Sequence, residues 1–218
     1  MNFFHTKYII IPRQLGGTVI QAFWAGTSFL LTSTVFILTF GSLSDTFGRK
    51  YTILLALVLF TVGSIVAGAA HNLNIVLVGR SIQGAGGGGI LILTEVVITD
   101  YVPLRQRGTY FGYASAVWAL GSVTGPVIGG ALAEAASWRW ICWINIPICG
   151  VGFILVIEFL NLKSVPGSFV PKLLTVDWVG AFLLTASATS LLLALSWGNI
   201  MYPWSSWRTI VPLVLGLL

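Results

Sequence analysis

Charged residues are scarce in this chain. Lys, Arg, Asp and Glu together make up 8% of its 218 residues while hydrophobic residues make up 56%, against roughly a quarter charged in soluble globular domains. No water-exposed surface can be assembled from what remains, which excludes a soluble globular domain. Acids are scarcer than bases, six against eleven, giving a net charge of +5. The basic residues are scattered singly or in pairs and never form a stripe, which excludes a nucleic-acid partner. Only two cysteines occur, Cys142 and Cys149. Seven residues apart in or beside an apolar block, they offer no metal-ligand spacing and no disulfide framework, so no metal is expected and both read as small packing residues. No His/Cys/acid cluster or nucleophile motif appears, so no catalytic residue and no cofactor is expected and a membrane enzyme is disfavoured. Met1 to Gln14 has a short apolar patch without a small-residue cleavage site, so no cleavable signal peptide is read there.

What is present is a series of apolar blocks about twenty residues long, the length a helix needs to cross a hydrocarbon core roughly 30 Å thick. Six full spans are expected: A (Val19 to Phe40), B (Tyr51 to Ala70), C (Leu73 to Thr99), D (Thr109 to Ala133), E (Ile141 to Leu160) and F (Leu174 to Leu195). A seventh, G, starts near Ile210 and stops at Leu218 after nine residues, too few to cross a bilayer. Helix is the default within each block, because backbone donors and acceptors in lipid must be satisfied inside their own segment. The fold class expected is therefore all-α, a polytopic membrane helical bundle whose partners are the lipid bilayer and a small-molecule substrate. Positive charges orient the spans. The A-B loop holds Arg49 and Lys50, the C-D loop Arg105 and Arg107, and the E-F loop Lys163 and Lys172. The B-C loop (His71, Asn72) has none, the D-E loop has Arg139 and the F-G loop Arg208. The first three loops are accordingly placed in the cytoplasm. That orientation puts the amino terminus outside with nothing before span A to carry it across, and Lys7 and Arg13 resist being placed there. The expectation is a missing preceding span and an incomplete chain or faulty gene model; the alternative is that Phe3 to Ile11 is a short interfacial anchor. Residues 1–18 are read as a non-spanning amino-terminal segment, 19–160 as the remainder of an amino-terminal bundle, and 161–218 as a cytoplasmic linker, an additional span and a truncated next span.

Four motifs carry functional information. The A-B loop reads Gly41-Ser-Leu43-Ser-Asp45-Thr-Phe-Gly48-Arg49-Lys50. Gly41 would let the end of span A approach a neighbouring helix, and Gly48 can take the φ > 0 conformation of a sharp turn. Asp45 can cap a helix or pair with a base, which suits a latch between two rigid bodies. An ordinary positive-inside loop would account for Arg49 and Lys50 and leave the Gly-Leu-Asp-Gly spacing to chance. Here the chain resembles the major facilitator superfamily, whose signature G-x-L-x-D-x-x-G-R-K is matched at every specified position.

Two further motifs follow in the order that this family has them. In span C, Leu77-Val-Gly-Arg80-Ser-Ile-Gln83-Gly84-Ala-Gly86-Gly87 is similar to l-x-x-R-x-x-q-G-x-g. Arg80 lies about seven residues, or ~10 Å at 1.5 Å per residue, inside the outer end of its helix. A charge at that depth should face a cavity or a partner, with outward snorkelling as the alternative. Gln83 and Gly84 share its helix face. The resemblance implies that Arg80 takes part in proton coupling, with the proton as coupling ion. In span D, Gly121-Ser-Val-Thr-Gly125-Pro126-Val-Ile-Gly129-Gly130 resembles g-x-x-x-G-P-x-x-G-G, a motif of the antiporter branches. Its glycines recur every four residues as a ridge for another backbone, as small residues do in many membrane bundles, and Pro126 removes one helical hydrogen bond and should bend the span.

Finally, Ser137-Trp138-Arg139-Trp140-Ile-Cys-Trp143-Ile-Asn145-Ile-Pro147 resembles the W-R-W-x-x-x-x-N-x-P segment of the fourteen-helix drug:proton antiporter branch, common in fungi. The residues themselves read as an interfacial belt in which three tryptophans anchor the outer ends of spans D and E. Asp100 could join a charge network with Asp45, Arg49, Arg105 and Arg107 or be a solvated loop acid. Glu95, about one and a half turns deeper, is the better intramembrane acid. Glu158 and Asp177 read as snorkelling or capping acids, and His71 as a solvated turn residue. The resemblance runs from about Gly16 onward and departs from the branch in one respect, since Met1 to Leu15 has no acid where the first-helix acid is expected. It implies a major facilitator fold, partial here, and proton-coupled efflux of drugs, toxins or secondary metabolites from the plasma or vacuolar membrane, with multidrug resistance as a consequence. A non-transporting truncated product and a nutrient-importing facilitator are the other readings, the latter expected to lack the Gly-Pro ridge.

Overall fold

The computed structural model describes residues 19–160, 178–198 and 202–217. Over these it is helical: α1 (Val19–Phe47), α2 (Arg49–Gly68), α3 (Leu73–Tyr101), α4 (Leu104–Ala135), α5 (Trp140–Trp143), α6 (Asn145–Phe159), α7 (Trp178–Trp197) and α8 (Trp207–Leu217). Among the described residues six stretches are long and apolar enough to cross a membrane, α5 and α6 together forming one of them, and α8 is a shorter apolar helix. The all-α polytopic bundle expected from composition is thus present. The expected amino-terminal segment 1–18 and the linker from residue 161, with Lys163, Lys172 and Asp177, lie outside the described residues.

Helix ends differ from the apolar blocks in ways that have local causes. Gly41 to Phe47, expected as a loop, continues α1. Ser42 and Thr46 satisfy their hydroxyls on carbonyls one turn back, at 3.3 and 3.1 Å, so nothing there competes with the helix until Gly48, whose φ of 93° ends it. A side chain would strain that conformation, which is why a glycine stands there. Arg105 and Arg107, expected in a loop, belong to the first turn of α4, which starts directly after Pro103. Arg107 reaches back to the carbonyls of Val102 (3.0 Å) and Thr99 (2.7 Å) and so caps the carboxy terminus of α3. At the other end of α3, Asn72 accepts from the Ile75 amide at 2.9 Å as its N-cap. Span E is interrupted at Ile144; Pro147 lacks an N–H and its ring crowds the carbonyl four residues back, that of Trp143.

The packing is organised around α3, which lies between α1 and α2 and keeps them largely apart. In lipid there is no hydrophobic force pressing apolar helices together, so close association needs small residues that let backbones approach. Here those residues are on α3. A Cβ added at Gly84 would run into the Phe29 carbonyl and Thr32 of α1, and one at Gly88 into Ser33 of α1. On the opposite face, a Cβ at Gly79 would stand 2.9 Å from Ala67 Cα, one at Gly86 2.6 Å from the Ala56 oxygen, and one at Gly63 of α2 2.7 Å from the Gly79 oxygen. Below the seam Phe40, Ala56 and Leu93 form a buried cluster with Phe36, Ile53, Leu59, Ile90 and Ile92 around it. The bundle has two ends, one marked by Gly48 and the start of α4, the other by His71, the α4–α5 turn and Gly198. The α7–α8 pair packs tightly where Gly216 meets Leu191, and it touches α1 through an edge-on contact of Trp24 with Trp197, 6.4 Å between ring centres.

Candidate functional site

At the Gly48 end, the sharp turn brings the start of α2 over the ends of α1 and α3. Arg49 Nη1 donates to Asp45 Oδ1 at 2.7 Å and to the Ser44 carbonyl at 2.8 Å, and its Nε donates to Asp100 Oδ2 at 2.9 Å. One guanidinium therefore ties three helices. Lys50 turns the other way and donates to the Ile157 carbonyl in the last turn of α6 at 2.9 Å, adding a fourth. Asp45, Gly48, Arg49, Lys50 and Asp100 are thus brought together. Gly41 is not part of this contact in the way expected: a methyl group there would meet only Ile92 Cγ1, at 3.9 Å, an ordinary van der Waals distance rather than a close backbone approach. Arg105 does not join the network, and Arg107 serves the α3 cap.

Nearer the His71 end, the seam between α3 and its neighbours encloses a chain of polar groups. Arg80 Nη1 donates to Gln83 Oε1 at 2.9 Å and Nε to the Ala25 carbonyl of α1 at 3.3 Å, while its guanidinium lies over the Phe29 ring, 5.2 Å from the centre. Gln83 in turn donates from Nε2 to Ser64 Oγ of α2 at 2.8 Å, and Ser64 donates to the Phe60 carbonyl at 2.8 Å. Arg80 is therefore turned inward and held by neutral acceptors and an aromatic face, not snorkelling to the surface. Glu95 is not part of this group. It is exposed, and fifteen residues along the same helix place it about 22 Å away. Gly84, on the next position after Gln83, serves the α1 contact rather than the polar chain.

The glycine row on α4 forms, but among the described residues no backbone meets it. A Cβ at Gly121 or Gly125 finds nothing within 4 Å, and one at Gly129 only Ile141 Cδ1 at 3.9 Å; Gly121 to Ile128, including Pro126, are exposed and Gly130 is half-buried. Among the described residues, close helix contacts of this kind are made by the glycines of α3. The reason is that a smooth face packs only where a neighbour presents one, and Ala56, Gly63 and Ala67 on α2 supply that for α3.

The tryptophan segment also departs from a simple belt. Trp140 and Trp143 are exposed, as belt residues are, whereas Trp138 is buried against Ala25, Ala70, Val76 and Leu77. It closes the His71 end of the α1–α2–α3 seam, and Arg139 stacks on it at 5.5 Å while donating to the Ala70 carbonyl at 2.9 Å, a cation on the frayed end of α2. Asn145 donates to the Ile141 carbonyl at 3.3 Å, beside the break before Pro147. Cys142 and Cys149 are buried and free, and His71 and Glu158 are exposed. Ser64 and the glycines Gly79, Gly88 and Gly89 are the residues that motif reading passes over. For the glycines a signal was present, since residues 86 to 89 are all glycine; for a lone serine in an apolar helix there is none.

Known proteins are similar to this chain along nearly its whole sequence. The family model described as Major Facilitator Superfamily matches residues 6–218. MFS transporter L2 of Phoma sp. is 53% identical over 204 residues, which cover 94% of this chain and 34% of that protein. The MFS-type efflux pump LUC4 of Fusarium sp. is 49% identical over 208 residues, 95% of this chain and 37% of that protein. Efflux pump FUS6 of Gibberella fujikuroi is 47% identical over 209 residues, 95% of this chain and 38% of that protein. The chain thus spans about a third of the length of the curated relatives it matches.

Proposed function

The chain belongs to the Major Facilitator Superfamily, transporters rather than enzymes, and from that premise we propose that the whole protein is a proton-coupled antiporter that exports small amphipathic compounds by alternating access. The observation that carries this reading is the inward-turned Arg80, held by Gln83, the Ala25 carbonyl and the Phe29 ring. A permanent cation kept inside a membrane bundle by neutral groups holds down the pKa of any acid that comes near it, and releases that acid to take up a proton when the two separate. Movement and protonation are coupled by such a device. Relatives named efflux pumps support export over import.

In this reading Asp45, Arg49 and Asp100, with Gly48 as the turn and Lys50 on α6, form a latch at the cytoplasmic end that breaks and reforms as helical bundles rock around a midplane site. Glu95 on the exposed side of α3 is a second candidate for proton handling. The Gly121 to Gly130 face of α4 receives another helix of the whole protein. Residence in the plasma membrane or the vacuolar membrane fits such an exporter.

The test is accumulation of a panel of fluorescent amphipathic dyes in cells that express the whole protein and lack their own exporters. Lower accumulation, reversed by a protonophore, is expected for at least one dye. Accumulation that falls equally with and without the proton gradient would remove the coupling from this account.

A further inference from the structure

We infer that Ser64 of α2 is a positioning residue that anchors the Gln83 side chain with its carboxamide oxygen toward Arg80. The inference deepens the coupling role proposed for Arg80 and rests on that reading for its functional meaning. Ser64 is fully buried (0% exposed) and Gln83 nearly so (1%), so neither has water as an alternative partner. A serine hydroxyl has one proton, and that of Ser64 is directed to the Phe60 carbonyl one turn back, at 2.8 Å. Its remaining capacity toward Gln83 is therefore as an acceptor only. An acceptor selects the NH2 of the carboxamide, which donates to it at 2.8 Å. The carboxamide oxygen is left on the opposite side, where it accepts from Arg80 Nη1 at 2.9 Å. The Ser64 acceptor on α2 and the donor-only guanidinium on α3 thus select the same orientation of the carboxamide, which Ser64 holds from its far end.

The backbone geometry explains why this link exists at all. At Gly63 the two helices approach so closely that a Cβ would collide with the Gln83 backbone, and 2.7 Å would separate it from the Gly79 oxygen. The Gly63-Ser64 pair on α2 accordingly combines a residue that permits the approach with one that uses it. Without the hydroxyl, Gln83 loses its anchor. Its carboxamide can then swing away and leave Arg80 with one fewer acceptor, or stay and leave its own NH2 without a partner; buried donors without partners are costly in either case.

The experiment compares Ser64→Thr with Ser64→Val in the 218-residue chain, labelled with 15N at arginine and glutamine and embedded in nanodiscs of phosphatidylcholine and phosphatidylglycerol. The two variants have the same shape, so any packing strain is common to both and only the hydroxyl differs. A threonine hydroxyl can make the same bond to the carbonyl four residues back. In the wild type and Ser64→Thr, the Gln83 side-chain amide protons should exchange slowly and the Arg80 Nη signals should show hindered rotation. Ser64→Val should accelerate Gln83 exchange at least tenfold and shift or broaden the Arg80 Nη signals, while backbone signals of α2 and α3 outside this turn hold. Arg80 signals that are the same in Ser64→Val and Ser64→Thr would overturn the inference. Proton-driven dye transport by the whole protein separates the two levels. If Ser64→Val moves the Arg80 signals and transport is unchanged, the positioning role stands and the coupling role of Arg80 falls; if Arg80→Ala abolishes transport while the Arg80 signals ignore the hydroxyl, the coupling role stands and the positioning role falls.

Discussion

Arg49, the first residue of α2, donates from Nε to Asp100, the last acid of α3, at 2.9 Å, and both side chains remain partly in contact with solvent, 24% and 41% exposed. Such exposure leaves the pair weak. Exposed ion pairs contribute on the order of 0–1 kcal/mol, too little to lock a fold and in keeping with the latch proposed for this end.

Removing this contact should therefore harm movement more than stability. In a double-mutant cycle of Arg49→Gln and Asp100→Asn, the coupling energy for unfolding of the chain is expected to be at most about 1 kcal/mol, while dye export by the whole protein carrying Arg49→Gln falls by about tenfold or more. Export at the wild-type level in Arg49→Gln would remove the latch from the mechanism.

The two glycine-rich helices should respond in opposite ways to an added methyl. Gly84→Ala forces a Cβ onto the Phe29 carbonyl and Thr32 and is expected to destabilise the chain by about 1–3 kcal/mol, since overpacking against backbone has no side-chain escape. Gly121→Ala meets nothing within 4 Å and should stay within about 0.5 kcal/mol of wild type. Thermal unfolding of both variants in the same lipid checks the contrast, and equal losses would show that the α3 seam is looser than described.

Gly125→Leu extends that argument to function. In the chain alone Gly125 is exposed and an added Cβ meets nothing within 4 Å, so insertion and melting temperature should be unchanged. In the whole protein, where the α4 face is proposed to receive another helix, export should be lost. Normal export by Gly125→Leu would mean that this face meets lipid.

Orientation is open to a direct check. In a background with Cys142→Ser and Cys149→Ser, a cysteine at His71 or Ser137 should react with an impermeant thiol reagent added outside intact cells, and one at Gln106 only after permeabilisation. Labelling of Ser137→Cys and Gln106→Cys from the same side would contradict the alternation of the spans.

Much of this arrangement was legible in the sequence, and what was not has physical causes. Blocks of twenty apolar residues located the spans because lipid leaves helix as the only solution. Gly48 was legible as a turn because so few residues tolerate φ > 0, and Arg80 with Gln83 because an i, i+3 pair shares a helix face. The helix ends were misread where Ser42 and Thr46 fold their hydroxyls back onto the backbone, so that polar composition did not mean loop. The choice between the glycines of α3 and those of α4 depends on which neighbour offers a matching smooth face, and no single helix carries that information. Trp138 was read as an anchor at the membrane surface because tryptophan favours interfaces; its burial follows from the gap left between Ala25, Ala70 and Val76, visible only once three helices are assembled. Ser64 has a role only through Gln83, on the next span and nineteen residues along the chain.

The most direct test of the central claim is transport by the whole protein in proteoliposomes, driven only by an imposed pH difference, with wild type, Arg80→Lys and Arg80→Ala compared for a dye that the protein exports in cells. Uphill accumulation should be full in the wild type, partial in Arg80→Lys, which retains a charge without the planar fork of donors, and absent in Arg80→Ala, while downhill exchange of the dye at equal pH persists in all three. Uphill accumulation by Arg80→Ala at the wild-type rate would contradict the account.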